Sequence, residues 1–429
     1  MAKIVLKESQ ISPNIILNTV NAKDHIYYEV SMSFGVRWKD ENFHKVICNQ
    51  DLDKSTIVAW WTTLRNFYHL IHQVSLTYYA YQNHSQNDIH YIIKYQILSF
   101  LNYISLRTNS SGKDSESIVA QSIGVCYGVI GDNLPSRQEV VDLYKTNGIG
   151  RMRIYYPDEE ALQALRGSGI ELIMDVAKET LQSLTDSNAA TDWVNKYVTP
   201  YSQDVNFKYI AVGNEIHPNT NEAQYILSAM TNIQNAISSA NLQIKVSTAI
   251  DSTLITNSYP PNDGVFTSDA EPYIKPIINF LVSNGAPLLA NVYPYFAYAN
   301  DQSIPLAYAL FTQQGNNDVG YQNLFDAMLD SIYAALEKVG ASNLQIVVSE
   351  SGWPSEGGAG ASIDNAGTYY ANLIRHASSG NGTPKRPGES IETYLFAMFD
   401  ENQKQGADTE RHFGLFNPDK SPKYQLSFN

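Results

Sequence analysis

The chain is poor in cysteine, in net positive charge and, over its first quarter, in glycine and proline. Only Cys48 and Cys126 occur in 429 residues, so a disulfide-dense scaffold and a CxxC-type structural zinc site are both excluded. The formal net charge is −14 and the sequence pI is near 5.1, which disfavours nucleic acid as a partner because phosphate-backbone binding needs clustered Lys and Arg. No apolar run reaches the ~18 residues of a membrane span, and Lys3, Lys7, Glu8, Ser9 and Gln10 interrupt any signal-peptide core. HExxH, GxSxG and GxxxxGK[ST] are all missing, so neither a metal nor a cofactor is expected.

What is present is enough apolar material for a sizeable core, with 43% apolar and 17% charged residues. It is unevenly distributed. Residues 1–121 hold 2 of the 25 Gly and 1 of the 17 Pro, and carry a net charge of +1, so the acidity belongs to 122–429. The small polar stretch Thr108-Asn109-Ser110-Ser111-Gly112-Lys113-Asp114-Ser115-Glu116-Ser117 reads as a flexible connection between the two pieces. Residues 1–121 show no repeat and no motif, only apolar runs from Ile92 to Leu106, and form an N-terminal extension of unassigned structure.

From residue 122 onward, short β-branched or aromatic runs alternate with longer segments of helical period, the pattern of repeated βα units. Eight runs begin near Ile123, Arg151, Glu171, Lys208, Lys245, Pro287, Gln345 and Ile391. Between them, Ser136 and Glu139 fit a capping box ahead of Val140, with Gly148 as the stop. Ile226, Met230, Ile233 and Ile237 form one apolar helical face, and Leu324, Met328, Ile332 and Leu336 another. Eight βα units in this length predict a (β/α)8 barrel, with Ser252 to Glu271 as an insertion. A doubly wound sheet would want GxGxxG after its first strand, and Gly124, Gly128 and Gly131 have the wrong spacing.

Barrel enzymes carry their chemistry at the C-terminal ends of the strands. Two glutamates fall there: Glu215 ends the fourth run and Glu350 the seventh. A single acidic residue after a strand is usually a cap or a solvated loop residue, whereas a pair matches the acid and nucleophile of retaining glycoside hydrolysis, whose carboxyls stand ~5–5.5 Å apart. Aromatic side chains suited to sugar stacking surround them: Tyr155, Tyr156, Tyr293, Tyr295, Phe296, Tyr298 and Trp353, although such residues also pack barrels. Glu401, Asn402, Gln403 and Lys404, with Glu410 and Phe413, form a polar cluster on the same rim. Gly357-Gly358-Ala359-Gly360 reads as a mobile loop beside the cleft, His217 as a structural or capping histidine, and Cys126 as a buried thiol.

IGVCYG at 123–128, MRIYYPD at 152–158, YIAVGNEI at 209–216, NVYPYFAY at 291–298, VVSESGWPS at 347–355, GTPKRPG at 382–388 and FGLFNPDKSPKY at 413–424 occur in order. In these motifs residues 122–429 resemble plant β-1,3-glucanases of glycoside hydrolase family 17. The resemblance implies the (β/α)8 fold, Glu215 as general acid/base, Glu350 as nucleophile, and Asn214 on the sugar 2-hydroxyl. It also implies substrate contacts from Tyr155, Tyr293, Phe296, Trp353, Glu401, Lys404, Glu410 and Phe413. The implied substrate is a β-1,3-glucan such as callose or fungal wall glucan, cut internally by a monomer in plant defence. A β-1,3-1,4-glucanase on the same fold and a non-catalytic glucan-binding protein are the alternatives; the presence of both glutamates argues against the second.

The family begins its IGVCYG motif directly after a signal peptide, whereas 121 unmatched residues stand before Ser122 here. The expectation is that they replace the signal peptide as a divergent or misassigned exon, the alternative being a genuine extension, with the protein itself acting in the extracellular space, or alternatively the vacuole. The sequons at Asn83, Asn109 and Asn381 bear on that setting only if the chain is secreted.

Overall fold

The structure, a computed structural model, describes residues 123–428 and, upstream, the backbone of the strands β1 (Asn14–Ala22) and β2 (His25–Ser33). The chain separates into two units, Met1–Ser115 and Glu116–Asn429. In the first, β1 and β2 pair antiparallel, with Ala22 opposite His25. Cys48, the run Ile92–Leu106 and the sequons at Asn83 and Asn109 lie outside the described residues.

The second unit is a closed barrel of eight parallel strands in the ring order β3-β4-β5-β6-β7-β10-β11-β12. They are β3 (Ile123–Tyr127), β4 (Arg151–Ile154), β5 (Glu171–Val176), β6 (Asn206–Asn214), β7 (Lys245–Asp251), β10 (Leu288–Asn291), β11 (Ile346–Ser351) and β12 (Thr393–Leu395). Each falls on one of the eight apolar runs, because a strand buried on both faces must be apolar almost throughout. The last is shorter than its run, which began at Ile391. The insertion after β7 folds into a small antiparallel hairpin, β8 (Ile255–Thr256) and β9 (Val265–Phe266).

Helices close the outside of the barrel at the expected places. Helix α1 (Arg137–Thr146) starts with the capping box, Ser136 accepting from the Glu139 N–H and Glu139 from the Ser136 N–H. It ends before Gly148, whose φ of 70° allows the Ile149 N–H to bond back to the Tyr144 carbonyl. Ile226, Met230, Ile233 and Ile237 are all fully buried on the helix Ala223–Ser239. The helix Leu324–Lys338 is buried almost all round, wider than one stripe predicts: Asp326, Asp330 and Ser331 are buried with Leu324, Ile332 and Leu336, while Met328 of the expected face is only partly buried.

The barrel ladder shifts register once near the start of β5, between Leu172 and Ile173, and at three C-terminal strand ends: Ala211 to Asn214 on β6, Ala290 to Asn291 between β10 and β11, and Val348 to Ser351 on β11. Bulges re-aim side chains that strict alternation would point elsewhere. All three lie where β6, β10 and β11 reach the C-terminal rim, and the two glutamates sit beside them.

Candidate active site

Glu350 lies within β11 and is 6% exposed. Three donors converge on its carboxyl: Arg153 Nη1 at 3.0 Å and Tyr155 Oη at 2.9 Å on Oε1, and Tyr293 Oη at 2.6 Å on Oε2. Hydrogen bonds of this kind stabilise a carboxylate and fix its rotamer, as a nucleophile requires. The bulge allows the preceding Ser349 to reach the same lumen, where its Oγ donates to Asn291 Oδ1 at 2.8 Å.

Glu215 follows β6 with a positive φ of 51°, a left-handed conformation uncommon for a residue with a side chain. Two residues earlier Gly213 has φ 87°, and a Cβ there would press on Ile226 and Ile216. The strained turn is held by the Glu215 N–H, which donates to the Ala249 carbonyl on β7 at 2.9 Å. It aims Glu215 Oε1 at Asn291, whose Nδ2 donates at 2.9 Å.

The two carboxyls experience different fields. Burial, then the negative charge of Glu350, raises the Glu215 pKa to about 7, against a smaller opposing effect of the Asn291 hydrogen bond. One carboxyl held by three donors and its neighbour pushed toward neutrality is the arrangement that an acid and a nucleophile need.

Arg153 on β4 ties the site together. It is fully buried, grips Asp175 through Nε at 3.1 Å and Nη2 at 2.7 Å, and also donates to Glu350, to Asn214 Oδ1 at 2.9 Å and to Asn291 Oδ1 at 3.3 Å. Burial opposes its charge, but Asp175, Tyr155 and Glu350 outweigh it and keep the guanidinium cationic. Asn214 in turn accepts from Asn291 Nδ2 at 3.0 Å, which leaves its own amide group to face the cleft.

These groups form the floor of a groove of about 850 Å³. Tyr155, Asn214, Tyr293, Phe296, Glu401, Lys404, Glu410 and Phe413 line it together with both glutamates. Phe296 is 37% exposed, an open ring face at the rim. Phe413 is buried behind it and packs on Tyr293 and Phe396. Glu401 is buried and accepts from the Ile130 N–H at 2.8 Å; burial raises its pKa, against that bond and the charge of Lys404. Lys404 pairs with Glu410 at 3.2 Å and stands over the Phe396 ring, so the rim cluster is a built ion pair.

Two expectations change. Trp353 is 0% exposed and lies outside the groove, with its Nε1 bonded to the Gly360 carbonyl at 2.9 Å and its ring against Tyr295, Tyr298 and Tyr369. A stacking platform needs an open face, and this indole has none. Gly357–Gly360 is pinned rather than mobile: a Cβ at Gly357 would meet the Thr409 backbone, one at Gly358 the Tyr295 hydroxyl and one at Gly360 the Tyr298 ring. Cys126 is the buried thiol expected, with Sγ on the Ser349 carbonyl at 3.3 Å. Arg153, Asp175 and Asn291 were not singled out from sequence. Their signal was available, a charged or amide side chain inside an apolar strand run. Among the described residues no group of His, Cys, Asp and Glu is arranged to hold a metal ion, and no helix is long and apolar enough to cross a membrane.

Similarity to known proteins agrees with this geometry. A glucan endo-1,3-beta-glucosidase of Glycine max is 92% identical over 250 residues, covering 58% of this chain and 98% of that protein. One of Vitis vinifera is 60% identical over 324 residues, covering 73% of this chain and 93% of its own length. The solved structure of CJP38, a beta-1,3-glucanase and allergen of Cryptomeria japonica pollen, superposes with a TM-score of 0.70 at 48% identity, covering 72% of this chain and 99% of that one. Residues 123–428 match the model for glycosyl hydrolases family 17, and the chain belongs to that family.

Proposed function

We propose that this protein is an endo-β-1,3-glucanase that hydrolyses internal linkages of β-1,3-glucans with net retention at the anomeric carbon. The observation that carries the reading is the pair of rim carboxyls in opposite environments, Glu350 held by three donors and Glu215 raised to about 7. The linkage is supported by relatives named glucan endo-1,3-beta-glucosidase.

In the first step a Glu350 oxygen attacks the anomeric carbon while Glu215 gives its proton to the departing glycosidic oxygen, and the aglycone half of the glucan leaves. In the second, the Glu215 carboxylate takes a proton from water, the water oxygen bonds to the anomeric carbon, and the ester bond to Glu350 breaks. Arg153, Tyr155 and Tyr293 receive the negative charge that returns to Glu350. The Asn214 amide, with its oxygen held by Arg153 and Asn291, is free to donate to the 2-hydroxyl of the bound sugar. A neutral polysaccharide needs no charge attraction, which accords with an acidic protein. With this function goes an extracellular or vacuolar setting and a role in defence, proposed on the resemblance of the motifs.

The test is proton NMR of laminarin hydrolysis by the full chain, reading the anomer of the new reducing end before mutarotation. Early β-anomer is expected. Early α-anomer would overturn the retaining mechanism, and preference for mixed-linkage glucan over laminarin would overturn the linkage.

A further inference from the structure

Outside the network just described, one charged pair faces the acid/base side of the groove. Asp251 closes β7 and lines the groove beside Glu215. Its Oδ2 lies 2.7 Å from His217 Nε2, and its Oδ1 accepts from the Thr253 N–H at 2.7 Å and from the Thr253 hydroxyl. Both carboxylate oxygens of Asp251 are thus engaged, Oδ1 twice and Oδ2 once, which holds its carboxylate in one orientation at the base of the loop after β7.

His217 stands two residues beyond Glu215, in the turn after β6, where its carbonyl accepts from the Thr220 N–H at 3.0 Å and the Thr220 hydroxyl at 2.8 Å. The His217–Asp251 contact thus fastens the loop carrying Glu215 to the end of the neighbouring strand. Nearer the barrel, the same strand ends are joined by the bond from the Glu215 N–H to the Ala249 carbonyl and by the Thr248 hydroxyl, which donates to the Gly213 carbonyl at 3.1 Å.

We propose that His217 and Asp251 are a positioning pair that holds a carboxylate on the acid/base side of the groove and so sets the pH range over which Glu215 works. The inference rests on the role given to Glu215 above. Charged and titratable groups reach Glu215 from several elements: Glu350 on β11, Arg153 on β4, Tyr293 after β10 and Asp251 on β7, with the Asn291 amide as hydrogen-bond donor. Of these, Arg153, Tyr293 and Asn291 also bond to Glu350 or to one another, so altering them disturbs the nucleophile. Asp251 has no hydrogen bond to that network, and can act on Glu215 through its charge alone. The field of Asp251 favours the protonated acid; His217 donates to Asp251 and draws part of that charge away from Glu215.

The two members should therefore act in opposite directions. Asp251→Asn removes a negative charge from beside Glu215, and the alkaline limb of kcat/KM should move to lower pH by about half a unit or more. His217→Ala removes a donor from Asp251, leaves more of its charge unshared, and should move the same limb to higher pH. His217→Gln, which can still donate, should restore the parent limb. A merely structural contact would lower activity in both variants with the limb in place.

The experiment has two readouts on the full chain. One is the pH profile of laminarin hydrolysis. The other is the titration of the Glu215 carboxyl by carbon NMR of glutamate-labelled protein without substrate, with the signal assigned by its loss in Glu215→Gln. Opposite displacements of the Glu215 titration in the Asp251 and His217 variants are expected; displacements in the same direction, or none in protein whose melting shows it to be folded, would overturn the pair's role. Because the titration needs no glucan, it can fail while laminarin is cleaved, and succeed where laminarin is not.

Discussion

Arg153 on β4 reaches Glu350 on β11 through the barrel lumen, Nη1 to Oε1 at 3.0 Å, with neither side chain more than 7% exposed. The opposite edge of the same guanidinium is held by Asp175. The position of the Glu350 carboxyl is thus decided by a cation that is itself anchored on a third strand, β5. A single buried charge here balances two carboxylates, which makes the centre of the site rigid and intolerant of losing any one member.

Arg153→Met should therefore be costly on two counts. Removing one partner of a buried ion pair leaves uncompensated charge and typically costs ~3–5 kcal/mol. Chemical denaturation should show a loss of that order, together with loss of glucan hydrolysis. Unchanged stability would mean that the guanidinium is not the charge that Asp175 and Glu350 depend on.

Replacement of Glu350 by Gln preserves shape while removing the carboxylate proposed as nucleophile. Hydrolysis of laminarin should fall by on the order of 10⁴-fold, with binding of laminari-oligosaccharides retained by calorimetry. Hydrolysis at the parent rate would reassign the nucleophile.

The pH profile follows from the sign of the Glu215 displacement. A general acid works only while protonated, and burial together with the charge of Glu350 raises this carboxyl to about 7. On the alkaline side kcat/KM, which reports the free enzyme, should therefore be halved near pH 7 and decline beyond it. In Glu215→Gln that limb should vanish along with most of the activity. A parent profile that stays flat far above neutrality would show that Glu215 is not the proton donor.

Trp353→Ala tests the burial of that indole. A side chain with no exposed face and three aromatic neighbours contributes packing, so truncation should cost ~3–5 kcal/mol of stability, read as a lower melting temperature. A glucan-binding platform would instead weaken KM at unchanged stability.

Much of this protein is legible in one dimension. Eight doubly buried strands have to be apolar runs, helices between them have to carry a 3.6-residue stripe, and both properties are local. The same locality exposes Glu215 and Glu350, since an ionisable residue at the end of an apolar strand stands out from its neighbours. Asn214 was found through the motif it shares with Glu215.

What the sequence by itself determined is therefore the barrel's strand list, its rim and the two glutamates that stand on it. Only the tertiary structure decided how those carboxyls differ. The field at Glu215 comes from Glu350, Asp251 and Arg153, each on another strand, and the donors that hold Glu350 come from β4 and the turns after β4 and β10. The same is true of Trp353, whose aromatic character is plain in the sequence but whose exposure depends on Tyr295, Tyr298 and Tyr369 closing over it. Electrostatic and packing environments are sums over neighbours distant in the chain, and closure of the barrel is what brings those neighbours together.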